Sequence, residues 1–351
     1  MKGKSFKPGV DAADPPSCPS ATEHTRKTDS QQKHTKSKFT RERPEGSLLL
    51  GFAVLSTQNR FYAYKFAQAV TQIKLGDVSA ISSASTPEVK LSGWLRSDYR
   101  TQPLYTKFDL IEVKEHTKLS EDVKTLLRRL LANAIFDLGL LQAVAAKLGW
   151  GQVQSMIVAK APKGLRLRRG DFGEIITNSL LEEFFGFTVP VQKLRYRIDS
   201  DQSLPGTDAV ALKVRGDVVS EVCFIESKTR STRATSAAVD GYQQLMSDFA
   251  DEFSDIINFV LARMKESNHP LFDSFLNYLR DRDDTSNIES FRLGLVWETN
   301  EWSEATIENL EEARNSPVPK LVVILVRLLG LKSLVDELYD SIGVTEVLNG
   351  D

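Results

Sequence analysis

The sequence predicts an α/β fold: a mixed central sheet flanked by helices, with an additional N-terminal α+β region before it. Three observations predict this. Through the second half of the chain, apolar runs of strand length alternate with segments of helical periodicity, in the order helix, strand, strand, strand, helix, strand. The second and third of those strand runs are joined only by Arg215-Gly216-Asp217, which favours an antiparallel hairpin. The chain has 351 residues, 41% of them hydrophobic, enough for two domains with a sizeable core.

Residues 1–45 read as a disordered basic tail. They are rich in Lys, Thr, Ser, Pro and Gln, nearly empty of large apolar side chains, and carry ten Lys/Arg against six Asp/Glu. Such an arm can touch phosphates, but a solvated tail is the simpler reading. Residues 46–150 read as an α+β domain, with partner docking as a candidate role. In it, Leu48 to Leu55 suits a strand and Arg60 to Leu75 a helix, with Phe61, Tyr64 and Ala67 at helical spacing. A Ser/Ala/Pro loop, Ser79 to Pro87, leads to strands at Leu91–Leu95 and Phe108–Lys114. Ser120 to Leu148 reads as one long helix, capped by Ser120 and ended by Gly149, where a domain boundary is expected.

Residues 151–351 form the second expected domain. It opens with a helix at Asp171–Phe185, then strands at Gln192–Ile198, Asp208–Val214 and Val218–Thr229. Helices follow from Ala238 to Met264 and from Phe272 to Arg282. Strands at Phe291–Trp297 and Leu321–Val326 alternate with helices at Ser303–Asn315 and Leu331–Ile342.

Composition excludes several classes. The net charge is −2, so any nucleic-acid surface has to be local. Two cysteines, Cys18 and Cys223, in unlike settings suggest neither a disulfide framework nor a zinc site. The longest apolar runs, such as Leu321 to Val326, are too short to span a membrane, and the N-terminus lacks a secretory core. A soluble, cytoplasmic protein is expected.

The residues that point to chemistry lie on three elements. On the Val218–Thr229 strand, side chains alternate between faces, so Glu226 and Lys228 project together beyond the apolar run Val222-Cys223-Phe224-Ile225. Asp208 follows the turn Pro205-Gly206-Thr207, and the hairpin register can bring it beside Glu226. Glu174 lies seven residues before Leu181 and eleven before Phe185, on the inward stripe of its helix, where a buried carboxylate calls for a partner. Carboxylates beside one lysine suit phosphodiester hydrolysis. Glu174, Asp208 and Glu226 are hard oxygen ligands for Mg²⁺ or Mn²⁺, and Lys228 can orient water or offset developing charge. Glu182 and Glu183 lie around the helix from Glu174 and read as solvated surface. Lys163, Arg166, Arg168 and Arg169 precede the helix, and Arg230 and Arg233 follow Lys228, in positions to hold a DNA backbone or to be ordinary surface charge.

Glu174 on a helix, then Pro205-Gly206-Thr207-Asp208, then Glu226-Ser227-Lys228 resembles the PD-(D/E)xK nuclease superfamily and its restriction-endonuclease-like core. More narrowly, Arg169-Gly170-Asp171-Phe172-Gly173-Glu174 resembles the HamA-type effector nuclease of the Hachiman antiphage system. The resemblance spans roughly Lys163 to Arg282, and the first half of the chain matches nothing. It implies a low-specificity DNA nuclease controlled by a helicase-like sensor partner.

An E-x-K pattern alone is weak. Asp109, Glu112 and Lys114 form a second one, with Asp98 upstream, but the Arg60–Leu75 helix before it has no acid, so Glu112 and Lys114 read as a solvated strand face. Two other functions compete: a catalytically inactive DNA-binding or docking module on the same fold, and a sequence-specific restriction endonuclease. A purely structural Glu226–Lys228 pair is a third possibility. The geometric criterion is convergence of the three acids within metal-coordination distance.

Overall fold

In the computed structural model the described residues are 89–99, 105–202, 204–281, 288–314 and 320–343. The chain divides into two units, Met1–Ser82 and Ser83–Asp351, and every described residue belongs to the second. The tail, the strand Leu48–Leu55, the helix Arg60–Leu75 and the loop Ser79–Pro87 lie outside the described residues.

Alternation of apolar side chains builds a seven-stranded mixed sheet among the described residues, in the order β1-β2-β7-β6-β5-β4-β3. The strands are β1 (Leu95–Tyr99), β2 (Asp109–Glu115), β3 (Phe187–Thr188), β4 (Ala209–Arg215), β5 (Val218–Arg230), β6 (Ile288–Glu298) and β7 (Leu321–Leu328). Strands β2, β7, β6 and β5 run parallel; β1, β4 and β3 pair antiparallel with their neighbours.

The sheet is buried on both faces, and residue parity assigns each side chain to one of two cores. Ile111, Ala211, Cys223, Ile225, Val296 and Ile324 face the first core. It is closed by α1 (Glu121–Ile135), α2 (Leu138–Leu148), α3 (Trp150–Lys160), α4 (Leu165–Phe185) and α9 (Leu331–Ser341). Leu110, Leu212, Val222, Phe224, Leu295 and Leu325 face the second. It is closed by α5 (Ala237–Asp251), α6 (Phe253–Glu266), α7 (Phe272–Arg280) and α8 (Ala305–Ala313). Strands covered on both faces read as continuous apolar runs, which is why β5 and β7 were legible in the sequence.

Five expectations need correction. The expected helix Ala238–Met264 is two, α5 and α6, with Glu252 between them. The boundary near Gly149 falls inside one unit: β2 pairs with β7, and α1 to α3 share a core with α4 and α9. The single helix Ser120–Leu148 is two helices bent by 85°, because the Asp137 carboxylate accepts the Leu140 N–H and starts α2 anew. Ser120 does cap α1, through the Val123 N–H. Gln192–Ile198 is not a strand but contains a 3₁₀ turn, Lys193–Tyr196, and the first strand of the trio is the two-residue β3. Lys193 and Arg197 both line the cavity described below, while Arg195 bonds the Asn133 carbonyl elsewhere. Leu91–Gly93 is likewise a 3₁₀ turn, and the strand begins at Leu95. Its N–H groups at Leu91 and Ser92 donate to Glu183, so that exposed glutamate binds a neighbouring segment. Among the described residues no single helix is long and apolar enough to cross a membrane.

Candidate active site at an open sheet edge

β4 and β5 pair only as far as Ala209 opposite Ile225, whereas β5 continues beside β6 to Arg230 opposite Trp297. The last five residues of β5, Glu226 to Arg230, therefore have no β4 neighbour. This open edge borders the cavity that the acidic residues line.

Asp208 sits at the point of divergence. Its N–H donates to the Ile225 carbonyl at 3.0 Å, and its Oδ2 accepts the Ser227 N–H at 2.7 Å. The side chain thus replaces the lost strand partner of β5. Thr207 adds a hydrogen bond from Oγ1 to the Ile225 carbonyl, and Lys193 Nζ donates to the Gly206 and Thr207 carbonyls at 2.7 Å each. Glu226 and Lys228 leave β5 on one face, as strand alternation requires, and form an ion pair at 2.5 Å.

Two glycines let helices close on this strand. A Cβ at Gly173 would overlap Thr229 Oγ1, so only glycine allows α4 to lie this near β5. On the other face, a Cβ at Gly241 of α5 would stand 2.9 Å from Lys228 Cγ. The first contact seats Glu174 on α4, buried as its stripe predicts; the second packs the stem of Lys228.

Glu174, Asp208, Glu226 and Lys228 line one cavity of about 1130 Å³. Burial first, and then the charge of Asp208, holds Glu174 well above the ordinary carboxylate range. Burial also raises Asp208, against the pull of Lys193 and Lys228. Glu226 is pushed up to about 8 by burial and then by Asp208, with Lys228 opposing. The acids are thus electrostatically joined through Asp208.

Convergence is incomplete. Among the described residues no three Asp, Glu, His or Cys side chains are placed to hold a metal ion together. One oxygen each of Glu226 and Asp208 is engaged, by Lys228 and by the Ser227 N–H, and Glu174 approaches from the opposite face. The donor set nevertheless fits a hard cation. Mg²⁺ keeps several waters and needs only one or two carboxylates, and a cation among desolvated acids offsets their repulsion.

Sequence reasoning missed several neighbours. Asp171 and Arg197 form a buried two-bond pair at 2.7 and 2.6 Å beside Glu174. Gln244 lines the cavity and donates to buried Asp248 at 2.5 Å. Lys193, between two carbonyls, is the cation nearest the turn. Asp171 stands three residues before Glu174 on α4, a spacing that could have marked it as a neighbour, whereas Arg197, Gln244 and Lys193 come from other elements and carry no local signal.

The expected basic residues divide. Arg166, Arg169 and Arg230 line the cavity. Burial and the nearby charges of Arg166 and Arg169 lower the Arg230 pKa, against Asp240, so the three arginines lie together. Arg168 instead pairs with Asp340 at 2.8 Å, and Arg233 bonds Glu301 and Ser303. The second E-x-K differs from expectation: Glu112 is buried, 2.8 Å from Lys114 and 2.5 Å from Arg327, a satisfied cluster rather than a solvated face.

A family model for HamA matches residues 102–342, more than half of the chain. The chain belongs to the HamA family. The match extends well beyond the Lys163–Arg282 stretch that carried the resemblance, and takes in β2 and α1 to α3. In this HamA-family chain those elements are therefore part of the family's common region. Membership is consistent with an effector role in antiphage defence. No curated protein matches the chain.

Proposed function

We propose that this HamA-family chain is a metal-dependent nuclease that hydrolyses DNA phosphodiester bonds, a low-specificity cytoplasmic effector governed by a helicase-like partner. The observation that carries this reading is the open edge of β5. There Asp208, Glu226 and Lys228 stand at the end of an antiparallel hairpin, facing a cavity shared with Glu174 and three arginines. The order α4, β3, β4, β5, α5, β6 supports a restriction-endonuclease-like core.

One or two of Asp208, Glu226 and Glu174 would hold Mg²⁺ or Mn²⁺ directly, which when bound polarises the phosphate and lowers the pKa of water. Lys228 is placed to orient the attacking water and to offset charge on the phosphate. Arg166, Arg169 and Arg230 draw the DNA backbone to the cavity, and Asp208 keeps the end of β5 in register through Ser227. The purified chain, with any helicase-like protein that co-purifies, is expected to degrade DNA with Mg²⁺ and to stop with EDTA. Glu226→Ala and Lys228→Ala should each reduce cleavage at least ~100-fold. Cleavage by both variants at the wild-type rate would remove the assignment.

One observation favours a second reading, a structural Glu226–Lys228 pair on a non-catalytic DNA-binding module: the pair is already closed, and among the described residues no three-acid cage is formed. On that reading Mg²⁺ and Mn²⁺ leave the melting temperature unchanged, and DNA binding persists without cleavage.

A further inference from the structure

A second cavity, of about 420 Å³, opens beside the first and shares Asp208, Lys193, Leu204 and Pro205 with it. Its far wall is α6, which supplies Ile256 and the ring of Phe259, with the carboxylate of Asp255 on the same helix and that of Glu252 at its N-cap. No step proposed above uses these residues.

The chemistry of the walls restricts what can enter. Apolar surfaces and an aromatic ring suit a flat, weakly hydrated group. Two carboxylates repel a phosphate and accept only from donors. The shared wall at Asp208 puts the opening next to the place where the scissile phosphate would lie. A nucleobase meets all three conditions, since it is flat, is one sugar away from its phosphate and, in cytosine, adenine or guanine, offers an exocyclic amine.

We propose that this cavity receives an amine-bearing base of the nucleotide next to the scissile phosphate, with Phe259 and Ile256 against its face and Glu252 and Asp255 accepting from its amine. The inference rests on the nuclease reading for the position of the phosphate. A base can enter only after leaving its stack, so the site favours single-stranded or distorted DNA over intact duplex.

Cytosine and uracil have nearly the same shape, but cytosine presents an amine with two N–H donors at C4 where uracil presents a carbonyl, the donor of uracil being the single N–H at N3. Binding of short single-stranded oligo-dC and oligo-dU to the full chain, in EDTA to prevent cleavage, is read by fluorescence anisotropy. Wild type should prefer oligo-dC by about tenfold, the lower part of what one well-placed base contact gives. The double variant Glu252→Gln/Asp255→Asn, in the cavity wall, should still bind oligo-dU and should lose the preference. Ile256→Trp, which fills the cavity, should weaken both. Equal affinities in wild type, or a preference that survives the double variant, overturns the proposal. Cleavage with Mg²⁺ but without base preference removes the pocket alone. Base preference without cleavage under any condition removes the nuclease reading and leaves the pocket.

Discussion

The carboxylate of Asp208 accepts the backbone N–H of Ser227 at 2.7 Å, at the point where β4 stops pairing with β5. One side chain thereby ends a ladder and places a charge beside Glu226. The two roles separate by substitution. Asp208→Asn keeps an acceptor for Ser227 and should melt at or above the wild-type temperature in chelator, because a desolvated charge is gone. Its Mg²⁺-dependent cleavage should fall at least ~100-fold. Asp208→Ala should lose cleavage and also about 1–3 kcal/mol of stability, since the Ser227 N–H is left without its partner. Thermal melts beside a plasmid-degradation assay check both, and full activity in Asp208→Asn excludes the residue from the chemistry.

The buried acids set a pH dependence. Glu226, pushed up to about 8, and Glu174 and Asp208, raised by burial, bind protons more tightly in the folded than in the unfolded chain. Their contribution is present below the unfolded value, about 4 to 4.5, and is lost as pH rises toward 8. In chelator the melting temperature should therefore fall between about pH 5 and pH 9, and Glu226→Gln should flatten that fall. Mg²⁺ should stabilise more at about pH 8.5 than at about pH 6, because it competes with protons for the same oxygens. A melting temperature that rises with pH in chelator would mean that the acids are ionised and paired in the fold.

Close approach of α4 to β5 predicts a contrast between neighbouring glycines. Gly173→Ala forces a methyl group against Thr229 and should cost about 1–3 kcal/mol, with cleavage lowered further because Glu174 shifts with its helix. At Gly170 a Cβ meets nothing within 4 Å, so Gly170→Ala should stabilise α4 by about 0.5–1 kcal/mol. Denaturant titration of the two variants measures the difference. Equal effects would show that helix propensity, not the contact with Thr229, decides.

Only the arginines that line the cavity should govern DNA affinity. Replacing Arg166, Arg169 or Arg230 by Ala should weaken binding and lower the slope of log affinity against log salt by about 0.7–0.9 for each lost phosphate contact. Arg168→Ala loses the pair with Asp340, the bond to the Pro162 carbonyl and the stack on Tyr339, and should cost about 1–3 kcal/mol of stability with the salt slope unchanged. A loss of affinity in Arg168→Ala equal to that in Arg169→Ala would place the DNA path elsewhere.

Much of this was legible in the chain alone, for physical reasons. β2, β5, β6 and β7 are buried on both faces, so they stand out as apolar runs, and the short Arg215-Gly216-Asp217 connection implied the β4–β5 hairpin. The periods of strand and helix placed Glu226 with Lys228 and turned Glu174 inward. Signals failed where tertiary partners outweighed local pattern. Lys193 and Arg197 read as a strand until their bonds to the 206–207 carbonyls and to Asp171 drew that segment into a 3₁₀ turn. The break at Asp137 lay unseen within a helical periodicity that continues through it.

The acidic cluster shows the same division. Its membership followed from residue type, spacing and parity, all local properties of the sequence. What only the tertiary structure decided was where the cluster opens. β4 stops at Ala209 while β5 runs on, and the edge so exposed admits Glu174 from one face and Gln244 from the other. Register between strands, and the approach of helices through Gly173 and Gly241, arise from packing across the whole sheet. No window of sequence contains both sides of those contacts.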